Sequence, residues 1–277
     1  MGPPAVGVCS WSINRSRPIE SIRVAADRFG VRVVHLGFFD EQTLAGTSAQ
    51  AVRKAAGDAG VEISSTFAAF PGETYKSIAT VAATGGYLPD EHFDARLDMT
   101  RRVADLAAEL GVASVAIHAG TVPDDRACDA HKILVDRTGQ AADLLMDRAL
   151  VLLLETGRES AQTLNGFIDA VGRENVGVNL DPGNLVLYGA DDPVRAVRTL
   201  RGRIRHVHLK DAVASDQPGV TFGTEVTLGT GEASIARVVS KLRASGYDGP
   251  LIVERTAGRG DPGGLDESIE YLRSLLD

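Results

Sequence analysis

The stretch Ala25-Ala26-Asp27-Arg28-Phe29-Gly30-Val31-Arg32-Val33-Val34 reads as the end of an amphipathic helix, a glycine, and the start of a β-branched strand. Glycine suits the left-handed residue that closes a helix, since it has no Cβ to clash there. The Val-rich run behind it suits a strand buried in a parallel sheet. The same junction recurs at Ala59-Gly60 into Val61-Glu62-Ile63 and at Leu110-Gly111 into Val112-Ala113-Ser114-Val115. A fourth copy is Ser245-Gly246, followed after a short turn by Pro250-Leu251-Ile252-Val253.

Outward from these junctions, strand patterns begin near Ala5, Val31, Val61, Val112, Leu150, Val176, Ile204 and Leu251. Helical patterns fill the gaps at Ser21–Phe29, Ser48–Asp58, Asp98–Leu110, Ile133–Met146, Thr163–Val171, Pro193–Leu200, Ser234–Ala244 and Asp266–Leu276. Alternating βα units predict a parallel sheet, and eight of them predict an α/β fold closed as a (β/α)8 TIM barrel, a single domain over 1–277. The length of 277 residues suits that fold, which commonly needs ~250. An open doubly wound sheet is the competing architecture, disfavoured because no Gly-x-Gly-x-x-Gly follows the first strand. Two βα gaps, about 68–95 and 212–228, are longer than the rest and fall on the side where such barrels carry their working loops.

Composition narrows the function classes. Hydrophobic residues make up 44% and charged residues 24%, and mean hydropathy is near zero, as in soluble globular proteins. A net charge of −8 argues against nucleic acid as a general partner, which needs a basic face. A small anionic ligand stays open, because local charges dominate over a few ångströms. Cys9 and Cys128 share no metal or redox spacing and read as reduced thiols. The opening Met-Gly-Pro-Pro-Ala-Val lacks the regions of a signal peptide, and Val6 stands where a myristoylation signal needs Ser or Thr. The longest apolar run, Ala149–Leu154, is too short to span a membrane. A cytoplasmic protein without membrane contact is the expectation.

Polar residues at strand ends carry the chemistry. Leu150-Val151-Leu152-Leu153-Leu154 ends on Glu155, and Val176-Gly177-Val178-Asn179-Leu180 ends on Asp181. Ile204-Arg205-His206-Val207-His208 leads into Leu209-Lys210-Asp211, and Leu251-Ile252-Val253 ends on Glu254. Successive strands thus bring Glu155, Asp181, His208 and Glu254 to one rim, as metal ligands or as separately paired rim residues. Carboxylates crowded into a dry pocket repel one another unless a cation sits among them. Oxygen-rich ligation with one imidazole suits one divalent ion, Mn2+, Mg2+ or Co2+, with Zn2+ as a further candidate. His206 and His208 are two apart and both face the barrel interior. His208 is nearer the strand end and is the expected ligand, with His206 a hydrogen-bonded residue one layer deeper. Asp211 is expected to anchor the loop or orient a ligand. His118, closing strand four, reads as a substrate contact or a satisfied rim histidine. Trp11 and Phe38-Phe39 read as an apolar wall against a sugar ring or as a cover for the barrel end. His35, His92 and His131 have no supporting pattern.

The segments Leu154-Glu155-Thr156-Gly157, Asn179-Leu180-Asp181-Pro182-Gly183-Asn184, His206-Val207-His208-Leu209-Lys210-Asp211, Leu228-Gly229-Thr230-Gly231-Glu232 and Ile252-Val253-Glu254-Arg255 occur in an order that resembles the xylose isomerase-like barrels. That family includes sugar isomerases, ketose 3-epimerases and relatives of endonuclease IV, and the resemblance spans nearly the whole chain. It implies a metal-dependent isomerase or epimerase of a small sugar or keto-carbohydrate, with Glu155 and Glu254 as general acid/base pair. One glutamate removes a proton next to a carbonyl, and the other returns it to the enediolate. Substrate contacts are expected from His118, Asn184, Lys210, Arg255 and Trp11, and the resemblance implies a homodimer or homotetramer. One departure is Asn184, where many sugar epimerases of the family have a histidine, which weakens transfer of their free-sugar specificity.

Three other readings stay open. A dehydratase or lyase on a keto-sugar or keto-inositol would use the same metal site. An endonuclease IV-like phosphodiesterase would need a histidine-rich cluster of several zinc ions, yet Ser64-Ser65-Thr66-Phe67 closes strand three without a histidine, and the chain has only six. A non-catalytic ligand-binding barrel would need no metal at all. The Gly229-Thr230-Gly231 turn lies where many barrels hold a phosphate. It has no obvious basic partner beyond Lys210 and Arg255, which favours a non-phosphorylated substrate.

Overall fold

Gly30, Gly60, Gly111 and Gly246 all have left-handed φ values, between 59° and 87°. The residue after three of them turns back onto its helix: Val31, Val61 and Val112 donate to the carbonyls of Ala25, Ala56 and Ala107 at 2.9–3.0 Å. Those valines therefore finish the helix cap, and the strands begin slightly later than the Val-rich runs predict. The computed structural model describes residues 4–14, 16–256 and 264–276. The first three residues, part of the amino-terminal reading, lie outside them.

The strands are β1 (Val6–Cys9), β2 (Val33–Phe38), β3 (Glu62–Ala68), β4 (Ser114–Ile117), β5 (Val151–Glu155), β6 (Val176–Leu180) and β7 (Ile204–Leu209), then β8 (Asp211–Val213), β9 (Thr224–Val226) and β10 (Leu251–Val253). Eight of them close into a barrel in the order β1-β10-β7-β6-β5-β4-β3-β2. Every barrel pairing is parallel. Closure rules out the open doubly wound sheet. β8 and β9 pair antiparallel as a separate hairpin, which fills the second long gap. The main helices are Pro18–Asp27, Ala49–Ala59, Phe93–Leu110, Asp129–Met146, Ala161–Val171, Pro193–Thr199, Ile235–Ala244 and Leu265–Ser274, as the periodicity predicts. Among the described residues, no helix is long and apolar enough to cross a membrane.

Strand alternation separates two cores. Outward-facing residues such as Val34, Leu36, Val115, Ile117, Leu152, Leu154, Val207 and Val253 pack against the helices. A smaller apolar set fills the inside: Cys9, Trp11, Val33, Phe67, Ala116, Leu153 and Ile252. Burying each Leu, Ile or Val contributes roughly 1.5–3 kcal/mol, so this outer layer carries most of the stability. It frees the upper inside positions for polar groups.

The gap 68–95 is built rather than loose. Ser77 caps a helix over Ile78–Thr84. Buried Arg96 donates to the carbonyls of Gly86 and Pro71. Gly86 has φ +65°, and a Cβ there would lie 2.0 Å from the Ala119 carbonyl. Tyr87 N donates to Ala119 O at 2.7 Å, so the segment is docked on the chain that leaves β4.

Candidate functional site

Glu155 ends β5 and Glu254 follows β10, while His208 sits on β7, one residue short of its end. Asp181 follows β6 and caps the helix Pro182–Leu187, accepting from Asn184 N at 3.0 Å. The Asp-Pro pair explains this local geometry. Aspartate satisfies a free amide of the first turn, and proline at the first helical position gives up an N–H that has no partner anyway. The four side chains meet. His208 Nδ1 lies 3.0 Å from Glu155 Oε1 and 2.9 Å from Glu254 Oε2. Potential ligand atoms of Glu155, Asp181, His208 and Glu254 all lie within 4.8 Å of one another, and all four residues are buried.

Lys210 adds the only fixed cation in contact with this group among the described residues. Its Nζ is 3.1 Å from Asp181 Oδ2, 3.2 Å from Glu254 Oε1 and 3.1 Å from Asn184 Oδ1. Gly183 makes room for it, since a Cβ there would lie 2.7 Å from Lys210. Asn184 Nδ2 reaches Glu155 Oε1 at 3.3 Å. Trp11 Nε1 donates to Glu254 Oε1 at 3.0 Å.

The electrostatics are those of an anionic site short of positive charge. Burial lifts the Glu155 carboxyl to about 7, against the pull of His208. Burial also raises Asp181 despite Lys210. For Glu254 burial is outweighed by Lys210, His208 and the Trp11 indole, which hold it well below the carboxylate range. For Lys210 burial is outweighed by Asp181 and Glu254, so the ammonium keeps its proton. Asp181 Oδ2 and Glu254 Oε2 have no aligned hydrogen-bond donor although both are buried. Three carboxylates, one ammonium and one imidazole in that state fit a divalent cation, whose charge removes the drive to protonate.

Above the group opens a cavity of about 800 Å³, whose lining includes Trp11, Phe39, Phe67, His118, Glu155, Asn184, Lys210 and Glu254. Asn184 and Lys210 line it while engaged with the carboxylates. Trp11 packs edge-on against Phe39 at 5.5 Å, so the aromatics form a wall. Phe38 is turned into the outer core and does not take part. His118 Nε2 stands 3.6 Å from Glu155 Oε2. Burial, with Arg158 nearby, lowers its pKa to about 3, so the ring is neutral.

Arg255 departs from the expectation. It does not line the cavity, and its Nε lies 3.7 Å from Glu225 Oε1. Glu254 faces inward, so strand alternation turns its neighbour outward. The Gly229-Thr230-Gly231 turn is filled from within. Asp211 Oδ2 accepts from Gly229 N at 2.9 Å and Gly231 N at 3.0 Å, and Oδ1 accepts from Ala212 N and Ala233 N. Asp211 thus anchors the loop and takes the amides that a phosphate would need.

His206 is the deeper histidine, with Nδ1 3.0 Å from Asn179 Oδ1 and Nε2 3.0 Å from Ser64 Oγ. Sequence reasoning missed His35 and Cys9, which reach His208 from below at 2.7 Å and 3.6 Å. Their inward parity on β1 and β2 was the available signal. It also missed Glu73, Tyr75, Tyr188, Phe222 and Glu225 on the cavity wall, all of which come from loops or short elements without a period.

Comparisons with known proteins agree with this fold. A family model described as xylose isomerase-like TIM barrel matches residues 23–275. A probable endonuclease 4 of Mycobacterium ulcerans (strain Agy99) is 30% identical over 189 residues, 64% of this chain and 69% of that protein. The crystal structure of a xylose isomerase domain protein from Planctomyces limnophilus aligns with TM-score 0.84 and 30% identity, covering 99% of this chain and 96% of that one. A 3-keto-D-glucoside 4-epimerase from E. coli has the same fold at TM-score 0.73 and 15% identity, over 98% and 99% of the two chains.

Proposed function

The chain belongs to the xylose isomerase-like TIM barrel family, and on that premise we propose that it is a divalent-metal-dependent isomerase or epimerase of a small, uncharged sugar or keto-carbohydrate. The observation that carries this reading is the buried group of Glu155, Asp181, His208 and Glu254 beneath an aromatic-walled cavity of sugar size. These four residues would hold the ion. When bound there, it supplies Lewis-acid stabilisation of the charge that develops as a proton leaves carbon next to a carbonyl. Glu155 and Glu254 both line the cavity, so one carboxylate takes that proton and the other returns one to the enediolate. Lys210 and Asn184 hold the carboxylates and offer donors to substrate oxygens. Trp11, Phe39 and Phe67 pack against the apolar face of the sugar and keep water off the reacting carbon.

An uncharged substrate follows from the lining. Glu73, Glu155, Glu225 and Glu254 all border the cavity, and its one ammonium is already paired with Asp181 and Glu254. Four carboxylates against that paired ammonium and the Arg158 guanidinium near His118 favour a ligand without a phosphate or carboxylate. The same charge pattern speaks against the phosphodiesterase reading that the endonuclease 4 relatives suggest. The test is to incubate the Mn2+-loaded protein with a panel of ketoses and keto-sugars in D2O. Deuterium entering the recovered sugar, lost in Glu155→Gln and Glu254→Gln, supports the proposal. Loss of water from the product would identify a dehydratase instead. Incision of abasic-site DNA without any exchange would overturn the reading.

A further inference from the structure

Beneath the proposed metal ligands lies a set of polar groups that the reaction does not use: buried Cys9, His35, His206 and Asn179, with half-buried Ser64. Of these, His35 makes the shortest contact to a ligand. Its Nδ1 is 2.7 Å from His208 Nε2, and neither ring has any exposed surface. The two rings come from β2 and β7, which are not neighbours, since β1 and β10 stand between them. The contact therefore crosses the barrel interior.

We infer that His35 positions the metal-facing imidazole: its Nδ1 accepts the Nε2–H of His208 and fixes the tautomer whose Nδ1 lone pair points at Glu155 and Glu254. This rests on the metal reading of the site. The geometry supports it on three counts. His208 Nδ1 is the ring nitrogen between the two glutamates, at 3.0 and 2.9 Å, so it is the one able to ligate together with them. A histidine that ligates through one nitrogen must carry its proton on the other, and that N–H needs an acceptor. The alternatives to His35 are poorer. Cys9 Sγ is 3.6 Å from Nε2, and sulfur is a weak acceptor. Asn179 Nδ2 lies 3.1 Å from Nδ1 and 3.3 Å from Nε2, nearly equidistant. An amide N–H donates, so it offers no acceptor for the Nε2–H.

The bond to His208 is the His35 ring's shortest polar contact, with the Thr66 backbone as a further hydrogen-bond partner.

The test compares the full-length wild type with His35→Leu, which keeps bulk without an acceptor, and His35→Asn, whose Oδ1 replaces Nδ1. Mn2+ affinity is read by electron paramagnetic resonance of the free ion. The tautomer of His208 is read by 15N NMR of the Zn2+-loaded wild type. The expected result is a Kd about 10–100-fold weaker in His35→Leu, substantial rescue in His35→Asn, and a proton on His208 Nε2. Equal Kd values for wild type and His35→Leu, or a proton on Nδ1, would overturn the inference and leave the metal site standing. The NMR arm needs no variant, so a misfolded His35→Leu does not shield the inference. If the wild type takes up neither ion, the metal reading fails and the positioning role with it.

Discussion

Replacing Lys210 with Met keeps most of the side-chain length and deletes the one ammonium in contact with the carboxylate group. At an effective dielectric of 20, its contacts with Asp181 and Glu254 at 3.1 and 3.2 Å amount to roughly 5 kcal/mol of Coulomb attraction each. Much of that is offset by the desolvation of a buried ion, so the net cost of removing one partner is about 3–5 kcal/mol. For 277 residues the unfolding entropy is roughly 0.6 kcal/mol per degree. The expected fall in Tm is then about 5–9 °C. It should appear in chelator-treated protein at pH 8, above the value near 7 to which burial lifts Glu155. Mn2+ should restore more stability to the variant than to the wild type, since a cation replaces the missing charge. Calorimetry on both proteins, with chelator and with Mn2+, measures the four values. A change below about 1 °C in the chelated variant, or equal gains from Mn2+, would refute the argument that Lys210 balances these carboxylates.

Metal affinity should weaken as pH falls through 7. Burial raises Glu155 above its unfolded value, so the folded protein holds a proton there below about 7, and the ion must displace it. Calorimetric titration with Mn2+ should give a Kd about tenfold weaker at pH 6 than at pH 8 from this group alone. In the metal-free protein the same raised pKa makes ionised Glu155 a liability. Its unfavourable contribution grows as pH rises from about 4.5 to 7 and is absent in Glu155→Gln, which denaturant titrations across that range would register. Asp211→Ala strips an acceptor from the amides of Ala212, Gly229, Gly231 and Ala233 and should cost at least about 3 kcal/mol in urea unfolding. Added phosphate should leave the wild-type Tm unchanged, because those amides are taken. Trp11→Phe keeps most of the aromatic wall but removes the bond to Glu254 Oε1, and should destabilise by about 1.5–3 kcal/mol.

The elements of the barrel were legible because their signals are local. A glycine without Cβ closes a helix wherever it stands, and strand parity decides which side chains face inward. That logic located Glu155, Asp181 and Glu254 at strand ends and preferred His208 over His206. It also implied, without being applied, that Arg255 must face away once Glu254 faces in. The same parity separates Phe38 from Phe39, of which only the second lines the cavity.

By itself, then, the sequence determined the eight βα units, the rim on which the acids lie, and the acidic balance of the chain. Tertiary structure decided what those acids touch. His35 and Cys9 meet His208 across 173 and 199 residues of chain, a pairing no local pattern encodes. Asp211 takes the amides of a turn that reads as a phosphate site, and Lys210 is drawn between Asp181 and Glu254 through the space left by Gly183. The physical reason is range. Helix caps and strand alternation are set within a few residues, whereas the charge state and hydrogen-bond partners of a buried group depend on every strand that closes around it.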